Sequence, residues 1–147
     1  MSLAARRMFL VIAFLALAGI AVSSVSLYHH YGTSKTNYCD IGENFNCDIV
    51  NRSTYSTVLG VPDALIGILG YSALLLFATL YRTKPGTAFT LLMASVCGLA
   101  FALYLTYIEA FVLATWCILC LSSLTLIFLI TVFSSILAVR FRAQPGP

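Results

Sequence analysis

The chain has 147 residues, of which 61% are hydrophobic and 9% charged, against roughly 25% charged in an average soluble domain. That balance excludes an ordinary soluble fold and points to a membrane protein of one domain. A net charge of +3, with no basic run and no basic-aromatic patch, offers nothing for nucleic acid to bind.

Four uncharged stretches are candidates to cross a bilayer, which takes about 20 helical residues for a hydrocarbon core of roughly 30 Å. They are Met8 to Leu27, Ala64 to Tyr81, Ala88 to Ile108 and Ala110 to Val139. Arg6, Arg7, Arg82, Lys84, Arg140 and Arg142 flank one side of these spans. Lys35 and Arg52 lie on the other, where the acids Asp40, Glu43, Asp48, Asp63 and Glu109 also fall or mark the border. By the positive-inside rule both termini are cytoplasmic. The first stretch has a rival reading, because Arg6-Arg7, an apolar run and Ala21-Val22-Ser23 resemble a secretory signal with its cleavage site. Its 20 charge-free residues exceed the usual ~7–15-residue signal core, so retention as a span is expected.

Tyr28 to Pro62 is the only sizeable polar segment, and its later part, Ser53 to Pro62, is semi-apolar and expected to re-enter the interface. His29-His30 would make a metal pair, but the simpler expectation is solvated loop histidines. Arg82-Thr-Lys-Pro-Gly86 is a helix-breaking turn that makes the second and third spans antiparallel neighbours. Glu109 marks the outer boundary before the last run. Counting about 20 residues back from Val139 puts the outer membrane edge near Cys120, so Cys117 and Cys120 open the fourth helix or just precede it.

Four of the five cysteines form local pairs, Cys39/Cys47 and Cys117/Cys120, and four cysteines allow three connectivities. The charge count places both pairs on the outer side, where thiols can be oxidised. Cys117-Ile-Leu-Cys120 puts two sulfurs on one helix face. A helix N-terminus carries partial positive charge that favours a thiolate. A bridge at i, i+3 constrains little chain entropy, which suits redox exchange better than stapling. Structural zinc is disfavoured, because seven residues separate Cys39 from Cys47 where zinc pairs usually have two to four. Cys97 lies alone in mid-span and is expected only to fill space.

The run Tyr107-Ile-Glu-Ala-Phe-Val-Leu-Ala-Thr-Trp-Cys117-Ile-Leu-Cys120 resembles the redox motif of the vitamin K epoxide reductase family. So does the upstream block of Cys39, Cys47, Ser53 and Gly60-Val-Pro62-Asp-Ala-Leu-Ile-Gly67. The resemblance implies an all-α membrane fold: a four-transmembrane-helix bundle around a quinone, covered by an extracytoplasmic loop and partial helix. It implies a single domain over 1–147, with spans near 8–28, 63–81, 87–108 and 116–139 and an outer loop at 29–62. Cys39 would meet a separate thioredoxin-like partner, since the fused thioredoxin domain of some bacterial members is absent from this sequence. Cys47 would exchange with Cys117, Cys120 would face the quinone, and Ser53 would lie close to the redox cysteines. Asp63, Leu124 and Gly67 would border the quinone.

Two of these positions depart from vertebrate members. Asp63 stands where those carry an asparagine donor, and a carboxylate donates only when protonated. Leu124 stands where they carry a tyrosine. Both departures favour a bacterial-type thiol:quinone oxidoreductase of the inner membrane, passing electrons to ubiquinone or menaquinone and supporting disulfide formation. Reduction of vitamin K epoxide or quinone is the alternative within the family, and a non-catalytic four-span scaffold with structural disulfides is the alternative outside it. The unrelated bundle of disulfide-generating quinone reductases has its Cys-x-x-Cys before the loop pair, the reverse of the order here. Asn51-Arg-Ser53 matches a glycosylation sequon and is read as chance.

Overall fold

The computed structural model describes residues 1–32 and 38–144; Lys35, counted above among the outer-side charges, lies outside them. Helix α1 (Leu3–Tyr31) is capped by Ser2, whose hydroxyl accepts the Ala5 N–H at 3.2 Å. Its start lies ahead of the apolar run, so Arg6 and Arg7 ride on its first turns. A short helix α2 (Cys47–Asn51) follows the polar segment. Then come a 3₁₀ turn at Thr54–Ser56 and a two-stranded antiparallel hairpin, β1 (Thr57–Val58) and β2 (Val61–Pro62). Helix α3 (Asp63–Thr79) starts directly after Pro62, which has no N–H for a helix interior. Gly86, with φ 81°, makes the left-handed entry to α4 (Thr87–Ile108). A π-helical turn at Glu109–Leu113 and the left-handed Ala114 (φ 49°) break the chain away from α4 before α5 (Ile118–Ala143).

Helix α1, helix α4 with its π turn, and helix α5 are long and apolar enough to cross a membrane, whereas α3 is a shorter apolar helix of 17 residues. Helix α1 packs along α3 and α5, and α4 along α5; the α3–α4 seam is the lightest of the four contacts. The two helices joined by the Arg82–Gly86 turn are therefore neighbours, but loosely packed ones.

The core is one face of each helix. Phe9, Ile12 and Ala16 of α1 meet Tyr71 and Leu74 of α3, Leu91 of α4, and Ile127, Ile130 and Leu137 of α5. Apolar residues on the opposite faces, such as Phe14 at 72% and Leu69 at 64% exposure, point outward. Large apolar side chains pointing outward suit a lipid environment, and small residues interspersed at the contacts allow the close backbone approach that drives helix association there. Gly19 shows this directly: a Cβ there would fall 2.4 Å from the Tyr71 ring. Gly19→Ala is expected to destabilise the bundle by about 1–3 kcal/mol through overpacking, read as a lowered thermal midpoint in detergent. Because α1 supplies this much of the core, its removal as a leader would leave α3 without its main partner and strip one side of α5.

The segment before α3 is more ordered than a bare loop. Asn46 Oδ1 accepts the N–H groups of Asp48 and Ile49 at 3.0 and 3.1 Å, which starts α2. The hairpin turn uses Leu59 (φ 53°) and Gly60 (φ 82°), the paired left-handed residues of a tight connection. The histidines are not solvated as expected. His29 is 2% exposed and hydrogen-bonds Tyr38 Oη, while His30 Nδ1 meets the Asn51 carbonyl at 2.5 Å. Arg52 donates to the Gly32 and His29 carbonyls. These contacts fasten α2 to the end of α1.

Candidate active site

The cap and the head of α5 are joined by backbone. Trp116 N–H donates to Asn44 O at 2.8 Å, and Asn46 N–H donates to Trp116 O at 3.0 Å. This strap holds Cys47, the first residue of α2, over Cys117, the N-cap of α5. Cys39 and Cys47 form a disulfide with a Cα–Cα separation of 5.6 Å, within the usual span for such a bond. The thiol sulfur of Cys117 lies 3.3 Å from that of Cys47. All three sulfurs fall within 4.8 Å of one another, in a small apolar cluster with Val50, Leu113 and Leu119. Thiol groups in such a cluster would suit a metal, but two of the sulfurs are joined to each other here. What this arrangement permits is exchange, since a thiolate attacks a disulfide sulfur by direct contact.

Cys120 is one turn further along α5, half-buried and unpaired. It packs against the cluster and also lines a cavity of about 310 Å³ at the loose α3–α4 seam, with α1 and α5 closing its sides. The wall is chiefly apolar, with Ala102, Leu105 and Ile127 among its residues. Asn51, Asp63, Ser23, Ser26 and Ser123 supply its polar groups. A few polar groups in a mostly apolar pocket is the usual composition of a small-molecule site. Tyr71 closes the side near Ser123, its hydroxyl 2.8 Å from Ser123 O and 2.9 Å from Ser123 Oγ.

The residues singled out from sequence divide into three groups. Cys39, Cys47 and Cys117 meet in the sulfur cluster. Cys120, Asp63 and Gly67 meet on the cavity wall, where a Cβ on Gly67 would fall 2.7 Å from Ser23 Oγ. Ser53 and Leu124 stand apart from both. The Ser53 hydroxyl donates to Val50 O at 2.8 Å, turned onto its own short helix. Leu124 is half-buried and off the wall that Leu119, Cys120, Ser123 and Ile127 form on α5, because that series centres on a direction one step round the helix. Cys97, expected as interior filler, is exposed and lines the cavity.

Two residues of the site were not foreseen. Asn51 is 2% exposed, with its amide nitrogen 4.0 Å from Cys117 Sγ, which removes it from any glycosylation role. Glu109 is also 2% exposed, and its Oε2 accepts the Cys117 N–H at 3.1 Å. The signal for Glu109 was present in the sequence, since it is the only acid between Ala64 and Pro147.

An apolar helical bundle with sulfurs at exchange distance above an apolar cavity defines a membrane oxidoreductase that works through cysteine thiols. Residues 10–135 match the vitamin K epoxide reductase family, and the chain belongs to it. Members of that family are thiol-based oxidoreductases that use a quinone or vitamin K as electron acceptor. A comparison with curated proteins finds no match.

Proposed function

We propose that the protein is a membrane thiol:quinone oxidoreductase that supports disulfide formation. It takes two electrons from a separate thioredoxin-like protein through Cys39/Cys47 and passes them through Cys117/Cys120 to ubiquinone or menaquinone. The observation that carries the reading is the 3.3 Å approach of Cys117 Sγ to the loop disulfide, with Cys120 in the adjacent cavity wall. A scaffold with structural disulfides has no need of a free thiol touching a disulfide.

In one turnover the partner's thiolate attacks Cys39, and the released Cys47 attacks Cys117 in an oxidised Cys117–Cys120 pair. The partner's second thiolate then attacks the partner sulfur bonded to Cys39, which leaves the partner oxidised and frees Cys39 to close on Cys47 and release Cys117. Cys117 and Cys120 are left reduced, the state seen here. The cavity fits a quinone head group in size and polarity, and a quinone bound there would accept the two electrons. Its oxygens would meet Asp63 and Asn51 at the mouth, and its ring would contact Cys120 and Leu119. Ser53 holds α2 in place through Val50 rather than touching sulfur. The outer face of a bacterial inner membrane is the compartment in which this relay works, with both termini cytoplasmic. Two features agree. Met1, Arg82, Lys84 and Arg142 gather around one pocket, and the cysteines gather at the far end of the helices.

Purified protein is expected to reduce a short-chain ubiquinone or menaquinone when supplied with a reduced thioredoxin-like protein, followed by quinone absorbance. If neither quinone is reduced while vitamin K epoxide is, the acceptor assignment is wrong. If none is reduced by folded protein, the oxidoreductase reading itself fails.

A further inference from the structure

Glu109 caps the head of α5 by accepting the Cys117 N–H with Oε2. A cap explains one oxygen. The other, Oε1, is buried and meets no donor in hydrogen-bonding geometry among the described residues. An acceptor-only carboxylate buried in this way is costly unless its second oxygen has a use. An amide or a hydroxyl would cap the helix equally well without that burden. Cys120 lies on the first turn of α5, three residues after the capped Cys117, and packs against the same sulfur cluster. From the cap, the backbone N–H of Cys117 fixes the carboxylate in place. From α3, Asp63 faces it electrostatically. From α1, His30 in turn faces Asp63.

We propose that Glu109 is the proton acceptor for Cys120, holding its thiol proton while the Cys117/Cys120 pair is oxidised. This rests on the thiol:quinone reading above. The Cys120 S–H bond breaks, the proton moves to the carboxylate and the electron pair remains on sulfur. Cys117 loses its own proton and forms the S–S bond with Cys120, and two electrons leave to the quinone. The two protons released match the two that the quinone oxygens take up on becoming a hydroquinone. Glu109 returns to its carboxylate by passing its proton on, and the mouth of the cavity at Asp63 is the polar side open to it. An acid in this position is effective because proton transfer needs contact with the reacting group.

Glu109→Gln keeps an oxygen for the Cys117 N–H but cannot take a proton, and Glu109→Asp keeps the acid at shorter reach. Quinone reduction by the Gln variant is expected to fall by about 10²-fold or more, the usual contribution of a positioned acid or base, with partial recovery in the Asp variant. A second readout needs no quinone: the rate of maleimide modification of Cys120 against pH, followed by mass spectrometry with the Cys39–Cys47 bond intact. If Glu109 exchanges a proton with Cys120 the two titrate as a pair, so the wild-type profile is expected to show two inflections, of which the Gln variant lacks one. A Gln variant that turns over at the wild-type rate, or keeps the two-inflection profile, overturns the assignment. If wild-type protein reduces no quinone, the oxidoreductase reading fails instead, and the modification profile still decides whether Glu109 and Cys120 are coupled.

Discussion

Cys120→Ala is expected to abolish quinone reduction, by about 10³-fold or more, the scale on which removing one member of a catalytic unit acts. Cys120 carries the thiol on the cavity wall, while the cluster of Cys39, Cys47 and Cys117 lies behind it. Without Cys120, Cys117 has no partner with which to be oxidised, so Cys47 finds no disulfide to attack. The protein should then accept one pair of electrons into its loop disulfide and stop. A single-turnover experiment separates the halves: the partner thiol is consumed once per protein, and quinone absorbance stays flat. The substitution removes only a sulfur from a half-buried position, so the thermal midpoint should move little. Full turnover in this variant would show that electrons reach the quinone from Cys117 or from the loop pair, and the order drawn here would be wrong.

The apolar runs made the helices legible, because the cost of polar groups in a bilayer sets their length and composition, and the cysteine spacing pointed to two pairs that the fold brings together at one end of them. Cys117 at the head of the last helix followed from span length alone. What the sequence did not show was set by contacts between distant segments. Asn51 reaches Cys117 only because the strap of Asn44–Asn46 on Trp116 lays α2 across the bundle. His29 is buried and His30 bonded to Asn51 because α1 runs on to Tyr31, past the expected end of its span, and meets that cap. Glu109 read as a boundary charge because periodicity cannot say that a π turn will fold it back beneath Cys117. Leu124 was expected at the cavity from the family resemblance, but which arc of a helix faces a cavity is decided by neighbouring helices. The loose α3–α4 seam that makes the cavity has no sequence signature of its own beyond small residues such as Gly67 and Gly98.

Cys47→Ala is expected to capture an incoming thioredoxin-like protein on Cys39. The probe is a thioredoxin-fold protein with a single active-site cysteine, activated as its mixed disulfide with thionitrobenzoate. Attack by Cys39 forms the protein–protein disulfide and releases the coloured thiolate, and without Cys47 nothing in this chain reverses the bond. Exposure alone argues for other sites, because Cys39 is 1% exposed and Cys117 0%, whereas Cys97 is exposed and Cys120 partly so. The difference lies in what covers each sulfur. Cys97 opens onto the helix seam and Cys120 onto the cavity, where a folded protein cannot follow. Cys117 is roofed by α2, which is anchored through His30 and Arg52. Cys39 lies in a short non-helical segment, Tyr38 to Asn46, which is held by two backbone hydrogen bonds to Trp116 and by Tyr38 on His29. Net backbone hydrogen bonds are worth only about 1 kcal/mol each, so this segment is the cheapest cover to lift. Adduct formation should therefore be at least about tenfold faster on Cys39 than on Cys117, given that exchange rate depends on access to the sulfur. It should quicken further when the strap is weakened by Asn46→Pro, which removes the N–H that donates to Trp116 O. Peptide mapping that finds the adduct mainly on Cys117 would reverse the entry point and make the loop pair a side branch of the relay.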